Sequence, residues 1–254
     1  MSIELIKQMR DATGLSVMQC KKALEEADGD MEKAMMLLKK KSSDVAAKKA
    51  DRETSTGRVA VQTGNGKTAM ITLLCETDFV AKNEDFIALA DTLATHALEH
   101  GKEATLEKSG DVISPVIQKI GENIQLGTVE VVEAPVCGAY VHNGSIGVVA
   151  CLDGSDEVLA KDIAMHISAM NPSYVAKDDI PEETVAKAKE TFAGEVDTSK
   201  PADIQEKILQ GKIDSYFKEQ TLMEQSFIKD PSKTIGQLLS EKGANLVTFI
   251  SQKI

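Results

Sequence analysis

Arg58-Val59-Ala60-Val61-Gln62-Thr63-Gly64-Asn65-Gly66-Lys67-Thr68-Ala69-Met70-Ile71-Thr72-Leu73-Leu74 reads as two strands around a turn. Val59 and Val61 on one side, and Met70, Thr72 and Leu74 on the other, alternate around Thr63-Gly64-Asn65-Gly66. Asn-Gly between two such runs is a strong hairpin signal, because a two-residue hairpin turn needs positive φ at both central residues. A helix is expected next, from about Asp85 to His100, with Phe86, Leu89, Ala90, Leu93 and Ala97 on its apolar face.

The same arrangement recurs about 80 residues later. Ala139 and Val141, then His142-Asn143-Gly144-Ser145, then Ile146, Val148 and Ala150 predict a second hairpin. A helix from about Glu157 to Met170 follows. Hairpin then helix, twice, predicts a duplicated α+β unit. Between the copies, Ser114–Ile120 reads as helix and Asn123–Ala134 as a strand through Val129, Val131 and Val132.

Toward the N-terminus the period changes to that of helices. Ile3, Leu5, Ile6 and Met9 form a stripe that Thr13-Gly14 ends. Ser16 and Gln19 make a capping-box pattern for a second helix, carrying Met18, Cys20, Ala23, Leu24 and Ala27. Asp28-Gly29 breaks it, and Asp30 caps a third helix through Leu38. A three-helix module of this size has little interior for an active site, so its expected role is to present a surface. The polar stretch Lys39 to Gly57 reads as a linker, helical at most around Val45–Ala50. Toward the C-terminus, Pro181 to about Gln220 predicts two antiparallel helices separated at Thr198-Ser199-Lys200-Pro201. Ile204, Ile208 and Ile213 line the second. A short helix, Ile235–Ser240, and a terminal strand, Leu246–Ile250, complete the chain, the strand free to rejoin the earlier sheet.

These readings define an α+β chain divided as 1–40 three-helix domain, 41–57 linker, 58–136 first core subdomain, 137–180 second core subdomain completed by 227–254, and 181–226 inserted helical hairpin. The 254 residues suffice for a sizeable core. No apolar run approaches the roughly 20 residues that span a bilayer, and no signal-peptide pattern opens the chain, so no membrane association and a cytoplasmic setting are expected. Aromatic residues make up 4% and Trp is absent, which argues against a sugar cleft or a base-stacking platform. The net charge of −11 argues against direct nucleic-acid binding. Residues 1–54 hold 11 basic and 10 acidic side chains; the acidity belongs to the rest of the chain and suits a partner with basic patches.

Cys20, Cys75, Cys137 and Cys151 lie among apolar neighbours with no Cys-x-x-Cys pair, and are read as buried thiols of a reducing compartment. An intersubunit disulfide is not inferable from them. The histidines show no metal spacing with Cys or carboxylates, so no metal site is expected. His96 and His100 share a helix face, where a half-exposed helix end is the favoured reading over a metal pair. His166, inside the apolar run 163–170, is expected to be a hydrogen-bonded core residue. His142 differs, since it falls at a predicted hairpin tip. Gly64-Asn65-Gly66-Lys67-Thr68 resembles the end of a phosphate loop, but position 61 is Val61 where that motif needs Gly, and a hairpin explains the glycines. Cys75-Glu76-Thr77-Asp78-Phe79-Val80-Ala81-Lys82-Asn83-Glu84-Asp85-Phe86 leaves a strand and enters a helix. Phe79 and Val80 sit in this polar connection. Either both tuck under the core, or Phe79 is an apolar wedge for a partner with Asp78 placing a charge beside it.

Together these stretches resemble the bacterial elongation factor Ts family, exchange factors for the guanine nucleotide of elongation factor Tu. Met9-Arg10-Asp11-Ala12-Thr13-Gly14 with Cys20-Lys21-Lys22-Ala23-Leu24 is similar to one family signature, and Thr77-Asp78-Phe79-Val80-Ala81-Lys82 to another. Ile120-Gly121-Glu122-Asn123, Ile163-Ala164-Met165-His166-Ile167 and Pro231-Ser232-Lys233-Thr234-Ile235-Gly236-Gln237-Leu238-Leu239 resemble three more. Several motifs in order along essentially the whole chain are specific where any one alone is not. The resemblance implies a ubiquitin-associated-like (UBA-like) N-terminal domain, a core of two related subdomains, and a helical hairpin linked to homodimerisation. It implies elongation factor Tu as partner, no cofactor, and no covalent chemistry. Partner-binding residues implied are Arg10, Val17, Met18, Thr77, Asp78, Phe79, Val80 and His142, with Asp78 and Phe79 inserted near the partner's magnesium and phosphate site. Val17 stands where longer members usually carry Met. Some members continue into a further C-terminal helix, which a chain ending at Ile254 is expected to lack. An adaptor for other protein partners, without exchange activity, is the alternative from a different class; an enzyme using Gly64–Thr68 is a third.

Overall fold

The computed structural model describes residues 2–154, 156–196 and 201–254. The chain packs as two units. The first holds residues 1–133, 141–147 and 252–254, the second residues 134–140 and 148–251.

The first unit opens with α1 (Ile3–Thr13), α2 (Val17–Glu26) and α3 (Met31–Lys49). Each starts where its cap is written. Ser2 accepts from the Glu4 amide, Ser16 and Gln19 close a capping box, and Asp30 accepts from the Lys33 amide. Met9, Leu15, Cys20, Leu24 and Leu38 form the small core of the three helices. The stretch expected as a linker, 41–57, is instead helical as far as Lys49. Ser42 is buried, and Val45 and Ala46 pack on the larger core of the unit. These small side chains extend the Leu38 stripe at helical spacing and let α3 approach a neighbouring helix closely, while lysines on the other face give the segment its polar look.

β1 (Thr56–Gly64) and β2 (Lys67–Cys75) form the predicted hairpin, with Gly64 paired to Lys67. Asn65 and Gly66 have φ of 52° and 72°, the positive pair that a type I′ turn requires. A four-residue α4 (Asp78–Ala81) follows, then α5 (Glu84–His100) and α6 (Lys102–Ile120). Only the last third of α6 was legible; its earlier part buries little besides Thr105 and Ile113, too sparse a stripe to read. β3 (Ile124–Glu133) returns antiparallel beside β2, giving the order β1-β2-β3. Phe86, Leu89, Leu93 and Ala97 of α5 pack with Ile71, Leu73 and Ile117 as the core.

β4 (Val136–His142) and β5 (Ile146–Asp153) make the second hairpin, and α7 (Glu157–Met170) follows as predicted. α8 (Glu182–Ala193) and α9 (Ala202–Gln220) pack on each other through Ala188, Phe192, Leu209, Ile213 and Phe217. Of the break expected between them, Thr198-Ser199-Lys200 lies outside the described residues. β6 (Ser226–Phe227), β7 (Asp230–Thr234) and α10 (Ile235–Lys242) lead to β8 (Asn245–Lys253), which joins the second hairpin in the order β4-β5-β8. The third strand thus lies beside the second in both sheets, as a duplication requires. His166 is fully buried, as expected: the Ile228 amide donates to its Nδ1, so its Nε2 proton goes to Gln225 Oε1 at 2.9 Å.

The cysteine reading needs correction. Cys20 and Cys75 are buried free thiols, but Cys137 and Cys151 form a disulfide. They face each other across the β4–β5 hairpin with Cα atoms 4.1 Å apart, within reach of a cross-strand pair. Two cysteines in one hairpin meet only if the register opposes them, and spacing alone did not reveal that.

Candidate partner-binding site

The connection from β2 to α5 is held from below by two carboxylates. Glu76 accepts from the Asn123 amide at 2.6 Å and from Arg52 at 3.4 Å. The Asn123 side chain in turn donates to the Arg52 and Ala50 carbonyls at 2.7 and 3.3 Å. Glu122 takes both polar hydrogens of Thr77, the amide at 3.0 Å and the hydroxyl at 2.7 Å. Thr77 Oγ1 also accepts from the Val80 amide, which caps α4. At the other end Asn83 accepts from the Asp85 amide and caps α5. A four-residue helix has no stability of its own. Its geometry comes from these braces.

The braces separate two neighbouring apolar residues. Val80 is buried in the core, whereas Phe79 is 82% exposed. The sequence left open whether both tuck in; only Val80 does. Val80, expected among the contact residues, lies on the inner side of the turn and anchors it there. Exposing a Phe forgoes roughly 1.5–3 kcal/mol of burial, which makes this position informative. Beside it, Lys82 donates to Asp78 Oδ2 at 2.8 Å. That hydrogen bond, aided by the Lys82 charge, holds the Asp78 carboxyl below its usual range, so it is anionic at neutral pH. Cys75 under the turn is buried, which pushes its thiol upward and keeps it inert.

Asp78 lines a groove of about 250 Å³ with Arg58, Lys82, Asn143, Gly144 and Ser145. The tip of the second hairpin is tied here: the Val59 amide donates to the Gly144 carbonyl at 2.7 Å, and the Ile254 amide to Ser145 at 3.0 Å. Asn143 and Gly144 repeat the positive φ pair, at 50° and 76°. His142, at the end of β4, is exposed and accepts from the Asn143 amide group through Nε2. The wedge and the predicted hairpin tip therefore belong to one neighbourhood.

Arg10, Val17 and Met18 lie elsewhere in the unit and line no part of this groove. Arg10 is exposed with only a loose contact to Asp11 at 3.8 Å. Val17 and Met18 open α2 at 52% and 75% exposure, and Met36 on α3 is also exposed. Sequence reasoning missed three contributors. Glu122 and Asn123 lie inside a recognised motif but carried no assigned role, and Arg58 read only as a strand residue. Their signal lay in pairings across 45 or more residues of chain.

Among the described residues no group of three or more potential metal ligands occurs, and no helix is long and apolar enough to cross a membrane. The braced turn presents one exposed Phe beside one carboxylate, the features of a docking surface. Comparison with known proteins supplies the family. Residues 76–254 match the family Elongation factor TS. The elongation factor Ts of Alcanivorax borkumensis is 42% identical, over 96% of this chain and 91% of its own. That of Hahella chejuensis is 40% identical over 100% and 91%, and that of Pseudoalteromonas atlantica 42% over 97% and 88%. The chain belongs to the elongation factor Ts family, translation elongation factors whose known role is nucleotide exchange on elongation factor Tu.

Proposed function

We propose that this chain speeds GDP release from elongation factor Tu by inserting Phe79, with the Asp78 carboxylate beside it, next to the partner's magnesium and phosphate site. The observation that carries this is the exposed Phe79 on a turn braced by Glu122. Arg10, Val17 and Met18 dock the three-helix module, His142 meets the partner from the hairpin tip, and Thr77 and Val80 place the wedge. GTP then rebinds the emptied site. By linkage, whatever the factor gains on the nucleotide-free partner, nucleotide must lose on the factor-bound one. A thousandfold acceleration needs about 4 kcal/mol. Phe79 supplies at most about 3 kcal/mol of burial, so docking elsewhere must contribute. The action requires no cofactor and no covalent step, so the protein is not an enzyme in that sense.

The test is stopped-flow release of a fluorescent GDP analogue from elongation factor Tu. The wild-type chain is expected to accelerate release, and Phe79→Ala to lose most of the gain while still docking. Wild-type rates with Phe79→Ala sink the wedge. No acceleration by the wild-type chain, with an active cognate partner, favours the UBA-like or chaperone-type adaptor instead.

The helical hairpin serves as a homodimer contact in this reading. Ile204 and Tyr216 are exposed on α9, and Phe192, Ile208 and Tyr216 line a concavity of about 450 Å³. Sedimentation of Tyr216→Glu against wild type checks it, with loss of a dimer expected. The setting is the cytoplasm, where translation occurs, and the −11 charge supports a role without direct nucleic-acid contact.

A further inference from the structure

We propose that His96 and His100, at the end of α5, form a two-imidazole site for a borderline divalent cation of the Zn²⁺ or Ni²⁺ kind. The two rings stack, with centroids 4.4 Å apart and planes 18° from parallel. What raises the pair above a helix end is where the protons must be. Thr105 is fully buried and donates its hydroxyl hydrogen to the Gly101 carbonyl at 2.8 Å. A hydroxyl has one hydrogen to give. The 2.9 Å contact between Thr105 Oγ1 and His96 Nδ1 therefore needs the ring N–H as donor. His100 Nδ1 lies 3.3 Å from the His96 carbonyl, which can only accept, so this ring too carries its proton on Nδ1. Both neutral rings thus keep the lone pair on Nε2, and no hydrogen bond reaches either Nε2 among the described residues.

This is the arrangement a metal-binding histidine uses: one nitrogen for the cation, the other donating to a carbonyl or other fixed acceptor that locks the tautomer. In the stacked pair the two Nε2 lone pairs lie in near-parallel planes and do not converge, so a shared cation, with Zn–N bonds of about 2.0–2.1 Å and nitrogens about 3.3 Å apart, requires the exposed His100 ring to rotate out of the stack. The C-terminal end of α5 adds its negative dipole end. Glu99, with its carboxylate 3.9 Å from His100 Nδ1, adds charge, and Lys108 opposes it. With two imidazoles and no third protein ligand at hand among the described residues, water fills the other positions. Imidazole selects Zn²⁺, Ni²⁺ or Cu²⁺ over Mg²⁺ and Ca²⁺, which prefer oxygen. The inference is independent of the exchange reading.

Isothermal titration of the full chain with ZnCl₂, NiCl₂ and MgCl₂ tests it. One Zn²⁺ and one Ni²⁺ per chain are expected, with no Mg²⁺ at the same concentrations. His100→Gln, on an exposed side chain, is expected to weaken Zn²⁺ at least tenfold with no change in thermal unfolding of the metal-free chain. Thr105→Val is expected to weaken it by about tenfold or more, by releasing the His96 tautomer. Long-range ¹H–¹⁵N spectra of the metal-free chain should show Nδ1–H on both rings. Equal Zn²⁺ affinity in wild type and His100→Gln overturns the proposal, as does Mg²⁺ binding with the same stoichiometry or an Nε2–H tautomer at His96.

Discussion

α5 and α7 follow the two hairpins and bury the same pattern. Leu89, Ala90, Leu93, Ala94 and Ala97 of the first match Leu159, Ala160, Ile163, Ala164 and Ile167 of the second at a constant offset. On that alignment His96 and His166 hold the same position. Their fates differ. His166 is fully buried and uses both ring nitrogens, accepting from Ile228 and donating to Gln225. His96 is half-buried, donates to Thr105, and leaves Nε2 unused. One scaffold position became a packed polar link in one copy and a free lone pair in the other. The difference lies in what packs over the helix, not in the helix. The connections differ as well. In the first copy Glu76–Asn83 joins strand to helix and carries the exposed Phe79; in the second only Gly154–Asp156 intervenes. The longer connection, with its exposed Phe, stands between a hairpin and a helix that hold both its ends.

The sharpest way to break the parallel is at the strand facing each helix. Five residues before each Asn-Gly turn stand Ala60 and Gly138. A Cβ on Gly138 would lie 2.1 Å from the Lys161 amide nitrogen and 2.4 Å from the Ala160 carbonyl carbon, backbone atoms of α7 that cannot yield. Gly138→Ala is expected to cost about 3 kcal/mol or more in chemical denaturation, whereas Ala60→Gly in the other copy costs about 1 kcal/mol. Equal costs would show that the two helices sit at the same distance from their strands.

Phe79→Ala comes next. It removes the feature the second copy lacks, so GDP release should slow by roughly 10- to 150-fold, the rate equivalent of burying one Phe, while the midpoint of thermal unfolding stays put. Glu122→Ala should slow release by about tenfold, the rate equivalent of about 1.4 kcal/mol, because losing both hydrogen bonds to Thr77 loosens the turn while Phe79 itself remains. Glu122→Gln, which can still accept from Thr77, is expected to recover part of that rate, separating placement of the turn from gross damage.

The smallest effect separates the two histidines by pH. Burial, only partly offset by the Gln225 hydrogen bond, pulls His166 below its ordinary 6.5. As pH falls through 6.5 the unfolded chain takes up this proton before the folded one does. Stability is therefore unaffected above that pH and declines below it, until the folded-state value is passed, by at most about 1.4 kcal/mol per pH unit. Thermal unfolding at pH 7.5 and 5.5 measures the slope. His166→Gln keeps a hydrogen-bonding group and should flatten it.

Both hairpins, both following helices, the three N-terminal starts and the core histidine were legible because each is written locally. Asn-Gly dictates its turn, Ser16 and Gln19 their cap, and the spacing of Leu89 to Ala97 its buried face. Other features were not. The continuation of α3 through Ser42, Val45 and Ala46 looks polar until a second helix is laid against it. The Cys137–Cys151 pair depends on a register. The brace of Thr77 by Glu122 spans 45 residues.

The sequence by itself determined most of the elements, the repeated hairpin-then-helix order and the family, since turn chemistry, capping and hydrophobic period act over a few residues. Only the tertiary structure decided that Phe79 faces out while Val80 faces in, that Asp78 shares its groove with the tip of a distant hairpin, and that His96 keeps a free nitrogen where His166 does not. Those outcomes hang on hydrogen bonds between residues far apart in the chain, and such partners are chosen by packing.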